Sequence, residues 1–258
     1  MTRRAVAALV AIAAVLAAST VAPVASGAAP LPVPLRVSIL GDSSGLMTAN
    51  GLKRWVAENP GQIQIVDSAV YYGCGLTRDG SFRHAGVVRP LNGCGDLATQ
   101  WNRALDARAA DIALIQVGPI EVDDHLIPGD SVWRAPGDPV FDAYLQQQML
   151  AAVDLVIAHG VTPVWVTSPA IEPPDADVSR DPARMDRFNE LLRDVARVRP
   201  GMRIVDLARF VEAWPGGEFD PVLRPDGVHF EPGTVSASVA PWLVSAIRRS
   251  LATVPRPR

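Results

Sequence analysis

The chain has 258 residues, 24 of them basic and 27 acidic, for a formal net charge of −3. That length suits one α/β domain with a substantial core, or two small ones. The acidic balance offers no cationic surface for nucleic acid or anionic lipid.

Arg3 and Arg4 lie in a basic n-region, the run from 5 to 18 is almost unbroken in its apolarity, and Ser26-Gly27-Ala28 supplies small residues for a signal-peptidase site. About 14 apolar residues are short for a bilayer span. Residues 1–28 therefore read as a cleaved signal peptide, leaving a secreted or extracytoplasmic domain over 29–258 with no stable membrane span. Losing Arg3 and Arg4 brings the formal charge to −5.

Val37, Ser38, Ile39 and Leu40 form a β-prone run that ends at Gly41-Asp42-Ser43. A helix is expected over 46–58, with Leu52, Trp55 and Val56 on one face and a stop at Asn59-Pro60-Gly61. Residues 63–67 form a second strand, followed by a glycine-rich segment holding Cys74 and Cys94, the only cysteines. In an exported chain an isolated pair reads as a disulfide stapling a surface loop rather than as half of a metal site. Asp96 or Thr99 caps a helix to about 108, and 112–117 is a third strand. The stretch 118–139 is long for a plain connection and reads as a substrate-facing loop.

Tyr144, Leu145, Met149, Val153 and Val156 recur at helical spacing over 141–157, and His159-Gly160 closes that helix. Strand four covers 162–167, with Pro163 tolerated near its start. After a loop over 172–179, Asp181-Pro182 opens a helix by capping and by proline at its first position. Met185, Phe188, Leu192 and Val195 form its buried stripe. Residues 202–207 form strand five, 233–250 the last helix, and 251–258 a flexible tail. This alternation predicts a three-layer α/β/α sandwich around a mostly parallel five-stranded sheet, taken as flavodoxin-like although the alternation itself leaves the strand order open, with Gly41, Gly118 and Pro169 converging on one rim.

Ser43 follows the first strand where a helix begins, so its hydroxyl can face solvent while backbone amides point at developing negative charge. A serine at that place is equally an ordinary helix cap. The surroundings are not the Gly-x-Ser-x-Gly elbow. Asp226 and His229, three residues apart before the last helix, can face each other across one turn. The carboxylate would fix the imidazole's tautomer and the imidazole would take the serine proton. The bland alternative is a turn aspartate beside a hydrogen-bonded histidine. His159 reads as a helix terminus and His84 as part of a variable loop. His125 follows Asp123 and Asp124, but adjacent residues make a poor coordination face. No dinucleotide or Walker pattern occurs, and no metal or cofactor is expected.

Gly41-Asp42-Ser43 after strand one, with Asp226-x-x-His229 near the C-terminus, resembles the SGNH (GDSL) hydrolase superfamily. The resemblance implies that Ser43 is the nucleophile, Asp226 the acid and His229 the base. It also implies that Gly73 or Gly75, with Gly73 preferred, gives a backbone amide to the oxyanion hole beside that of Ser43. The third block departs from the family's Gly-x-Asn-Asp: here it reads Gly118-Pro119-Ile120-Glu121, and Ile120 has no side-chain amide. Loss of such a donor costs on the order of 3 kcal/mol. Glu121 is expected to bind a sugar hydroxyl, to organise the loop, or to stand as an ordinary exposed carboxylate. This departure, with Cys74-Gly75-Leu76 and Gly93-Cys94, is similar to the SGNH domains attached to bacterial acyltransferase membrane proteins. It implies an acylated small molecule or cell-surface glycan as partner.

The leading expectation is ester hydrolysis through an acyl-enzyme, with O-acetyl groups on glycans as one substrate. Acyl transfer to a glycan hydroxyl and noncatalytic glycan binding are the alternatives. Trp133 and Trp165 offer sugar-stacking surfaces, with core packing the expected job of Trp165. Oligomeric state is not legible.

Overall fold

The computed structural model describes residues 32–106, 110–172 and 180–252. The leader expected over 1–28 and the tail residues 253–258 lie outside them. The last helix continues through Leu251 and Ala252, two residues into the expected tail, with Leu251 packed against the core.

Five strands, β1 (Leu35–Gly41), β2 (Ile63–Val70), β5 (Ile112–Gln116), β7 (Thr162–Val166) and β8 (Arg203–Val205), form a parallel sheet in the order β2-β1-β5-β7-β8. This is the flavodoxin-like order expected. Side chains alternate across it. Ala113 and Ile115 of β5 join one core cluster with Trp101, Phe141, Trp165 and Phe188, while Ile112 and Leu114 join another with Leu52, Leu243 and Ile247. A central strand covered on both faces must be apolar at nearly every position, and all five β5 residues are buried.

Helices α2 (Leu97–Asp106), α3 (Pro139–Ala158) and α4 (Pro182–Val198) cover the first face, and α1 (Ser43–Glu58) with the C-terminal helices covers the second. Two capping signals fold as read: Asp181 accepts from Ala183, and Asp96 accepts from Thr99 at 2.7 Å. α3 starts two residues before the expected 141, where Asp138 accepts from Val140 and Phe141. A short helix, α5 (Leu207–Glu212), follows β8 directly. The single last helix expected is segmented into α6 (Pro232–Thr234), a π turn (Val235–Val239) and α7 (Ala240–Ala252).

The cysteine segment is ordered by strand pairing. β3 (Ser81–His84), β4 (Val87–Pro90) and β6 (Asp124–Leu126) make a small antiparallel sheet, so the long loop over 118–139 contributes a strand as well as loop residues. Cys74 and Cys94 are joined by a disulfide. Phe82, Leu91 and Cys94 form a satellite cluster beneath this sheet, with Cys74 and Ile120 packed against it. Among the described residues no helix is long and apolar enough to cross a membrane.

Candidate active site

The turn after β1 is dictated by a close approach. A Cβ on Gly41 would lie 1.9 Å from the carbonyl oxygen of Gln116, so only glycine lets β1 run beside β5 to its very end. Asp42 then caps α1, accepting from the Ser44 amide through Oδ1 at 2.8 Å and from the Gly118 amide through Oδ2 at 3.0 Å. One buried carboxylate thus ties the serine turn to the turn after β5. Burial pushes its carboxyl up to about 6, against the opposing hydrogen bonds from Gly118 and Ser44.

This clamp puts Ser43 on the first turn of α1, at the positive end of the helix. Its Oγ lies 2.7 Å from Nε2 of His229, and Nδ1 of that ring lies 2.7 Å from Oδ2 of Asp226. The other carboxylate oxygen of Asp226 accepts from the Val228 and His229 amides at 2.9 and 2.6 Å. Burial works against the charge of Asp226, but bonds from the His229 ring and those two amides outweigh it. They hold the carboxyl below the usual carboxylate range.

The loop carrying Asp226 and His229 needs its own support. Gly227 has φ +69°, and a Cβ there would fall 2.4 Å from that of Glu172, so the residue after Asp226 must be glycine. Buried Arg224 donates through Nε and Nη2 to the Val228 carbonyl, each at 3.3 Å. Burial lowers its pKa to about 10, which leaves it charged at neutral pH. Nothing in the sequence beyond the Arg-Pro-Asp order marks this positioning role. Tyr72, 61% exposed, stands edge-on to His229 with ring centroids 6.0 Å apart.

Ser43, Gly73, Tyr72 and His229 open onto a cleft of about 230 Å³, to which Ile120 and Asp123 also contribute. Among the described residues the Ser43 and Gly73 amides have no protein acceptor.

No protein-family model and no curated protein matches this sequence. Solved structures do. A GDSL-like lipase from Bacteroides thetaiotaomicron aligns over 84% of this chain and 87% of its own, at 13% identity and TM-score 0.54. A protein from Slackia heliotrinireducens described as an SGNH hydrolase aligns over 84% and 99%, at 18% identity and TM-score 0.53. A catalytic mutant of an acetylxylan esterase from Geobacillus stearothermophilus aligns over 87% and 97%, at 16% identity and TM-score 0.50. The chain has the SGNH-hydrolase fold.

Within that fold, Ser43, Asp226 and His229 meet as one hydrogen-bonded chain, and Gly73 reaches the same cleft. Gly75 is not among the residues lining the cleft: a Cβ on it would lie 1.9 Å from Glu121 Oε1, and its carbonyl accepts from Arg78 Nε at 2.7 Å. Glu121 corrects two of its expected roles. It is completely buried, neither exposed nor positioned to meet a sugar. Its carboxylate accepts from the Leu76 amide, the Thr77 amide at 3.2 Å and the Thr77 hydroxyl at 2.6 Å, so it organises the loop.

His125 is likewise buried, with Nε2 2.8 Å from the Ile120 carbonyl, and Asp124 is engaged by Arg83 and Arg184. Among the described residues no cluster suited to a metal ion occurs. Trp165 is fully buried in the core, and the Trp133 ring is covered by the Arg83 guanidinium at 4.8 Å. His84, read as part of a variable loop, instead lines the cleft with Nδ1 3.0 Å from Oδ1 of Asp123.

Proposed function

We propose that this chain is a secreted serine esterase that hydrolyses carboxylic esters through an acyl-enzyme, with acyl groups on extracellular glycans as its substrate class. The observation that carries the reading is the continuous path from Ser43 Oγ to His229 Nε2 and from His229 Nδ1 to Asp226.

His229 accepts the Ser43 proton as Oγ bonds to the acyl carbon. Asp226, kept ionised, holds the ring with Nδ1 protonated and Nε2 free to accept, and stabilises the imidazolium. The amides of Ser43 and Gly73 face the developing oxyanion, and the α1 dipole favours the same charge. His229 returns the proton to the leaving alcohol as the ester C–O bond breaks. Water, deprotonated by His229, then attacks the acyl carbon; the acid departs and Ser43 regains its proton.

Ile120 supplies no third donor. Its packing in the satellite cluster explains an apolar residue there. With one donor missing, the enzyme is expected to be slower than one with a full set, by on the order of 10²–10³ in kcat. Short-chain nitrophenyl ester turnover by the mature protein, abolished in Ser43→Ala and in His229→Ala with folding intact, tests the reading. Equal turnover by wild type and Ser43→Ala would overturn it.

A further inference from the structure

The cleft beside Ser43 carries an electrostatic feature that ester cleavage itself does not require. Phe82 and Arg89 are register partners across the β3–β4 hairpin, so their side chains leave the same face, and both line the cleft. His84, two residues from Phe82, shares that face. The Arg89 guanidinium has no hydrogen bond or ion pair with any described residue. Arg180 lines the same cleft. Its Nη1 donates to the Glu172 carbonyl at 2.9 Å, while its Nε is buried with no partner among the described residues.

Among the described residues Asp123 is the one carboxylate in the lining, and His84 holds it at 3.0 Å. Two guanidiniums against one carboxylate leave the described lining residues at formal +1 with the histidines counted neutral, inside a chain whose net charge is −3. A cationic recess in an acidic protein concentrates anions. Guanidinium forks are suited to planar oxyanions such as carboxylates, which they bind in bidentate fashion.

We infer that this cleft selects esters that carry a negative charge, with Arg89 and Arg180 seating an anionic group of the substrate while Ser43 meets its ester. The inference rests on the ester reading of Ser43 and adds the substrate class. The charge has two chemical sources, a uronic-acid carboxylate on the alcohol side or a second carboxylate on the acyl side.

Three matched probes separate these sources: acetylated methyl glucoside, acetylated methyl glucuronoside, and the hemisuccinate of methyl glucoside. For one of the charged esters, kcat/KM should exceed that of the neutral ester by about tenfold at low salt, and the ratio should shrink as salt screens the cleft. In Arg89→Gln and in Arg180→Gln the ratio should collapse toward unity. Glucuronoside preference identifies the sugar carboxylate, and hemisuccinate preference identifies the acyl carboxylate. A ratio near unity in enzyme that turns over the neutral ester overturns the charge selection and leaves Ser43 as nucleophile untouched.

Calorimetric binding of the same three esters to Ser43→Ala gives a reading independent of turnover. Tighter binding of a charged ester, lost in the double variants with Arg89→Gln or Arg180→Gln, supports the inference even if the wild type is inactive. Equal binding of charged and neutral esters overturns it.

Discussion

Replacing Glu121 with alanine removes an acceptor shared by the buried amides of Leu76 and Thr77 and by the Thr77 hydroxyl. Neither amide can turn to water, because Leu76 and Thr77 are 1% and 0% exposed. An orphaned buried donor costs roughly 1–3 kcal/mol, so the two amides alone put the loss at about 2–6 kcal/mol. Glu121→Gln should behave differently. Its amide oxygen can accept from both backbone amides while its NH₂ donates to a turned Thr77 hydroxyl, so a change within about 1 kcal/mol is expected. Urea unfolding checks this through midpoints at constant m. Because the loop also carries Gly73, Glu121→Ala should lower kcat/KM as well. A Glu121→Ala variant within about 0.5 kcal/mol of wild type would refute the reasoning and return Glu121 to the status of a surface carboxylate.

Three further outcomes follow from the same geometry. Asp42 has its folded carboxyl raised to about 6 from 3.8, so its favourable contribution is complete below about pH 4 and is lost as pH rises through 6. Urea midpoints at pH 3 and pH 7 should therefore move the wild type relative to Asp42→Asn by about 3 kcal/mol, with the wild type losing ground at pH 7. Opening the Cys74–Cys94 link, which spans 20 residues of sequence, should cost about 3 kcal/mol as Cys74→Ser/Cys94→Ser, read by thermal unfolding. Ile120→Asn should recover part of the 10²–10³ in kcat that the missing donor is worth, at least about tenfold, while lowering the urea midpoint because an amide enters the cluster around Phe82 and Leu91; steady-state kinetics beside unfolding curves check both signs.

The central sheet was legible because its strands bury both faces and read as apolar runs, with Ile112 to Ile115 the plainest. The helix start at Asp181 was legible because capping is local chemistry. The small sheet was not: Val87 and Val88 are about half exposed, and Phe82 alone of β3 is fully buried, so no alternating pattern marks the hairpin. Ser43, Asp226 and His229 could be named because Gly41-Asp42-Ser43 and Asp226-x-x-His229 resemble the motifs of a known family; position alone left Ser43 equally a helix cap, and its contact with His229 spans 186 residues. Glu121, Asp42 and Arg224 could not be assigned their jobs. Burial of a charged side chain depends on which loops fold over it, and no spacing in the chain reports that. His84 was misjudged for the same reason, since the hairpin that turns it into the cleft went unseen.

The most direct test of the account is covalent labelling of the folded mature protein by a fluorophosphonate, with the adduct mapped by peptide mass spectrometry. The predicted result is a single adduct on Ser43, absent from Ser43→Ala and strongly reduced in His229→Ala. An adduct on another serine, or none on folded wild type from neutral to mildly alkaline pH, would contradict the claim that Ser43, His229 and Asp226 work as one catalytic unit.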